Sequence, residues 1–200
     1  MKGSMKKIGL LLLFASGLVF SQNYLEEGNN LISQNRFAEA ENVFRKGVKQ
    51  EPDNLILKSQ LALTLTSQNK NDQAEKVITG ILKKDPSFSA ALWYGGINNF
   101  SKDQPDFRKA IDYFERLYAI IDKNSDQYFA LNFYVGNSYC NVLNTEGLSY
   151  DEVSRMLETY KVYIEMQPDA EDIQDAREFV QKIEENRPGK NVRKWRMVTG

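Results

Sequence analysis

Two acidic pairs, Glu26–Glu27 and Glu184–Glu185, are the residues whose type first suggests chemistry. Paired carboxylates carry out acid–base hydrolysis of glycosides when they face one bond. Adjacent side chains on a helix point in different directions, so neither pair meets that condition. The chain has no histidine and a single cysteine, Cys140. An imidazole base and a Cys/His zinc centre are therefore excluded, as is an intramolecular disulfide. There is no glycine-rich phosphate loop and no nucleophile elbow. The acidic stretch Asp169–Asp172 reads as a solvated helix start, favoured by the helix dipole. A non-enzymatic protein without cofactor or metal is expected, with a carboxylate-based hydrolase as the remote alternative.

The elements that would position any binding residue begin after an N-terminal export signal. Lys2, Lys6 and Lys7 precede an uncharged apolar run from Ile8 to Phe20, and Ser21 supplies a small residue at the cut. This pattern predicts a secretory signal over residues 1–21, cleaved after about Ser21. The run is 13 residues long, short of the roughly 18–20 that a spanning helix needs. An uncleaved anchor or a buried helix is the alternative. No cysteine lies near the cut, which disfavours a lipid anchor. A periplasmic or secreted location is expected, with no integral membrane span after cleavage. The composition, 42% hydrophobic and 26% charged, is that of a folded protein, and a net charge of −1 argues against a nucleic-acid partner. Loss of the three lysines with the signal leaves acids in excess. Arg187, Lys190, Arg193, Lys194 and Arg196 then make a short basic tail, expected to be flexible over 187–200, with Trp195 as an anchor.

Between signal and tail the sequence repeats. Ala40 and Ala74 are 34 residues apart, as are Pro52 and Pro86. A unit begun at Ser21 places Tyr24 at position 4, Gly28 at 8, Phe37 at 17, Ala40 at 20, Phe44 at 24 and Pro52 at 32. The unit from Leu55 places Leu61 and Ala62 at 7 and 8, Leu65 at 11, Ala74 at 20, Ile78 at 24 and Pro86 at 32. The unit from Ser89 carries Leu92 and Gly96, and fits Phe107, Ala110 and Phe114 after two inserted residues near Asp103–Pro105. A degenerate fourth unit keeps Gly136 and Tyr139, then Tyr150, Val153 and Leu157 before Pro168. Small residues at 8 and 20 let two helices approach, large ones fill the space around that contact, and proline stops the second helix. Asp53, Asn71, Ser87 and Ser149 are predicted N-caps, and Ser149 with Glu152 a capping box. Ile173, Ala176, Phe179, Val180 and Ile183 predict a last amphipathic helix over 169–186, a polar-backed cap for the array.

A period of 34 with this small, aromatic and proline pattern resembles the tetratricopeptide repeat. The resemblance covers roughly residues 21–168. It implies an all-α fold, a right-handed α-α superhelix of about four helix pairs (21–54, 55–88, 89–124 and 125–168) with the cap helix. It also implies that the first helix of each pair lines a concave groove for a partner protein. Carried over by position, the groove residues are Leu25, Ser59, Trp93 and Phe133 at 5, and Asn29, Leu63, Ile97 and Asn137 at 9. Ile32, Thr66, Phe100 and Cys140 follow at 12. Trp93, Ile97 and Phe133 would give an aromatic patch, and Asn29 and Asn137 hydrogen bonds to a peptide backbone. Burial as core is the competing reading for Trp93 and Phe133, and for Cys140 the favoured one. The clamp that some family members use for acidic C-terminal peptides is not carried, because Leu25, Ala90 and Tyr94 stand where its basic residues belong. The function implied is a protein–protein adaptor of the cell envelope. A self-associating structural protein, a homodimer through the same surface, is the alternative. A peripheral membrane role through the tail lacks an amphipathic face.

Overall fold

A computed structural model describes residues 22–197, so the segment read as an export signal lies outside the described residues. These residues form helices: α1 over 22–33, α2 (Phe37–Gln50), α3 (Leu55–Thr66), α4 (Asn71–Lys84), α5 (Ser89–Ser101), α6 (Phe107–Tyr118), α7 (Asp126–Thr145), α8 (Tyr150–Met166) and α9 (Ile173–Asn186). The one β-pairing among the described residues is an isolated antiparallel bridge between Leu148 and Trp195. The fold is all-α, built of helix pairs. It divides into two compact units, one ending at Asn98 and the other beginning at Asn99.

In the first unit α2 packs on α3 and α3 on α4. The turn inside each of the first two pairs is the same. Asn35 and Asn69 adopt φ of 58° and 57°, and the next amide returns to a carbonyl five residues back, Arg36 to Leu31 and Lys70 to Leu65, both at 2.9 Å. This is the closure of a helix by a left-handed residue, a conformation that asparagine tolerates better than other side chains. Close approach follows from the small positions: a Cβ added to Gly28 would lie 2.3 Å from Cζ of Phe44. Ala40, Phe44, Leu57, Ala62, Leu65, Ala74, Ile78 and Ile81 are fully enclosed. Each large apolar side chain so buried contributes roughly 1.5–3 kcal/mol.

Two polar clusters lock this unit. Glu41 on α2 accepts from Arg45 (2.7 Å), Lys70 (2.6 Å) and Gln68 (2.9 Å), tying α2 to the α3–α4 turn. Burial opposes ionisation of its carboxyl, but these hydrogen bonds outweigh burial and hold the pKa down at about 2. On α5, Asn98 is 1% exposed. Its Oδ1 accepts from Thr66 (3.2 Å) and Asn71 (3.0 Å), and its Nδ2 donates to the Asn71 carbonyl (3.2 Å).

In the second unit α6 packs on α7, α7 on α8 and α8 on α9. Arg155 of α8 forks onto Glu115 of α6 (2.9 and 3.1 Å) and lies 3.9 Å from the ring centroid of Tyr118. The residues after α9 fold back, where a flexible tail was expected. Leu148 and Trp195 exchange both backbone hydrogen bonds at 2.8 Å. Arg196 donates to the Asn144 carbonyl (2.9 Å), and Arg187 lies 3.6 Å from the Tyr150 ring centroid. Gly147, at φ 85°, makes room: a Cβ there would meet the Trp195 carbonyl at 2.9 Å.

The helix starts correct some expectations. Asn54, not Asp53, caps α3 by accepting from the Ile56 and Leu57 amides, while Asp53 pairs with Lys84. Lys70 occupies the cap of α4 without a side-chain bond, leaving Asn71 inside the helix. Ser87 donates its amide and hydroxyl to Asp85 two residues ahead of α5. Ser149 does form the capping box with Glu152. The last helix begins at Ile173 rather than Asp169.

Candidate functional site

A concavity in the second unit lies among α7, α8 and α9, with a volume of about 270 Å³. Helical spacing aligns its side chains. Phe133 and Asn137 are four apart on α7, Tyr160 and Tyr163 three apart on α8, and Asp172, Asp175 and Phe179 follow one another around the start of α9. Gly136 lets α8 come close, since a Cβ there would sit 3.1 Å from the Tyr160 ring.

The walls are aromatic. Phe129 stacks on Tyr163 with centroids 5.2 Å apart, Phe133 lies 5.8 Å from Tyr163, and Tyr160 lies 5.0 Å from Phe179. Phe133 is 38% exposed, unusual for so large a ring. The Tyr163 hydroxyl donates to Oδ1 of Asp172 at 2.6 Å. Burial, and then this bond, push the Tyr163 pKa up to about 12, so it stays a donor at neutral pH. The Tyr160 hydroxyl donates to Oδ1 of Asn137 (3.3 Å), and Nδ2 of Asn137 donates to the Phe133 carbonyl (3.0 Å). Asn137 thus lines the cavity, but both of its amide heteroatoms already have partners within the protein.

Cys140 stands beside this site, half-buried, with the Asn144 amide 3.8 Å from its sulfur. Burial pushes its thiol pKa up, the opposite of what a nucleophile needs. Among the described residues no group of three or more metal-ligating side chains comes together. None of the described helices is long and apolar enough to cross a membrane.

The other positions expected to line a groove divide by burial. Asn29 is exposed, and Leu25, Ile32 and Leu63 are half-buried. Ser59 is 2% exposed and donates to the Ile56 carbonyl at 2.8 Å, so it is packing rather than ligand surface. Thr66 is spent on Asn98. Phe100, half-buried, lies edge-on against Phe107 and Tyr134, at 5.6 and 5.1 Å. Trp93 and Ile97, both half-buried, belong to the first unit, whereas Phe133 belongs to the second. Sequence reasoning missed Tyr160, Tyr163, Asp172, Asp175 and Phe179, because second helices and the cap carry no ligand positions in the repeat scheme. The i, i+3 tyrosines of α8 and the Asp172/Asp175/Phe179 spacing were the signal available.

A family model, the tetratricopeptide repeat, matches residues 31–94. The structure is similar to that of a MamA fragment from Desulfovibrio magneticus RS-1, with a TM-score of 0.61 and 14% identity, covering 85% of this chain and 98% of that one. Another MamA structure gives 0.58 at 18% identity, over 85% and 97% of the two chains. A tetratricopeptide repeat protein from Parabacteroides merdae gives 0.62 at 14%, over 84% of this chain and 61% of that one. No curated protein sequence matches the chain. At such identities the structural likeness establishes the fold alone. The 34-residue register, the twice-repeated asparagine turn and the family match agree that residues 31–94 carry tetratricopeptide repeats.

Proposed function

We propose that this protein is a non-enzymatic adaptor of the cell envelope that holds a segment of a partner protein. Tetratricopeptide-repeat proteins are in general interaction scaffolds, and repeat folds host many unrelated tasks, so the reading rests on the site. The observation that carries it is the aromatic cavity of α7–α9 with Phe133 at its mouth, 38% exposed. Partly exposed rings beside a cavity are typical anchors of protein–protein contacts. The half-buried thiol of Cys140, its pKa raised by burial, is a poor nucleophile. Export is inferred from residues 1–21 alone.

The test is capture from envelope extract by the chain from Gln22 onward, compared with Phe133→Ala at matched helical content. Truncation of an interface anchor typically costs about 2 kcal/mol or more, roughly thirtyfold in affinity. A partner retained by the parent and lost by the variant is the expected result. Equal retention by both would sink this site.

A further inference from the structure

The cavity has a chemical bias beyond its apolar walls. At about 270 Å³ it falls just below the range of roughly 300–1,000 Å³ in which small-molecule sites lie, so it suits a single long side chain. Two of its lining residues, Asp172 and Asp175, carry carboxylates, and no lysine or arginine lines it. Lys161 of α8, on the neighbouring stretch, is engaged with Glu184 at 2.6 Å.

Asp172 also breaks a local rule. It occupies the N-cap of α9, where an aspartate ordinarily accepts from the first free amides, yet it makes no side-chain cap bond. Its carboxylate accepts instead from the Tyr163 hydroxyl at the cavity wall. The helix forgoes a cap, and the charge is fixed beside aromatic rings. Ring faces and carboxylates together attract ammonium and guanidinium groups. An anionic side chain would meet repulsion, and an apolar one would gain nothing from the two exposed carboxylates.

We propose that the cavity between α7, α8 and α9 seats one lysine or arginine side chain of a partner's peptide segment, its stem against Phe133 and Tyr160 and its charge toward Asp172 and Asp175. This rests on the adaptor reading and names what that partner must present.

The test is selection of a phage-displayed library of random dodecapeptides on the chain from Gln22 onward. Selected peptides should share a basic residue, and replacing it with norleucine should weaken binding by about tenfold or more. The same peptides should lose a similar factor on Asp172→Asn/Asp175→Asn. In that variant the amide at 172 can still accept from Tyr163, and an unchanged melting temperature would verify its fold. Asp151→Asn, an exposed acid at the start of α8, should leave binding unaltered. Peptides that bind but tolerate norleucine, or bind the double variant equally, overturn the cation seat and leave the adaptor reading standing. Failure to select any peptide counts against both. A parent whose size in solution grows with concentration, reversed by the double variant, would replace the foreign partner with a second copy.

Discussion

Gly28 is where the repeat is most sharply specified by one side chain. The Phe44 ring opposite it is fully enclosed and cannot swing aside. Gly28→Ala should therefore destabilise the first unit by about 1–3 kcal/mol, more than the roughly 1 kcal/mol gained in helix propensity. A fall in the urea midpoint would show it, and a rise would mean that α1 shifts freely. This contact was legible, since positions 8 and 24 of the repeat are defined by it. Ser59 was not, because register alone gives a position's nominal face. A serine that returns its hydroxyl to its own helix can be buried without penalty.

Between elements, Glu41 has the clearest consequence. Its folded pKa of about 2 lies below the unfolded value of about 4.3. The stabilisation is therefore complete above that unfolded value and is lost as pH falls toward 2. It amounts to about 1–3 kcal/mol once the exposure of Arg45 and Lys70 is allowed for. Melting temperature followed from pH 6 to about pH 2 should drop less steeply in Glu41→Gln than in the parent, from a lower plateau at neutral pH. Parallel curves would deny the carboxylate this role. Helix existence was readable from period and breakers, but the start of each helix was readable only to within a few residues. Asp53 and Asn54 are both able to cap; in the structure Asn54 takes the cap and Asp53 pairs with Lys84. The four residues before Ile173 look helical by composition, yet the Ala170 amide closes a turn onto the Gln167 carbonyl instead.

At the level of the whole molecule, the first unit keeps its period and was read almost position by position. The second departs from it through a 20-residue α7 and a chain end that composition portrays as loose. Five cations without an apolar face say nothing of a backbone pairing that Gly147 alone makes room for. That pairing has a spectroscopic consequence. The chain holds two tryptophans, Trp93 in one unit and Trp195 in the other. In Trp93→Phe, tryptophan emission, excited to the red of tyrosine absorption, then reports on Trp195 at the terminal bridge alone. Two hydrogen bonds at a chain end should fray before the helices melt, so emission should move to the red at a lower urea concentration than ellipticity is lost. Coincident transitions would instead make the last eleven described residues part of the cooperative core, and a C-terminal fusion would then strain the fold it was meant only to label.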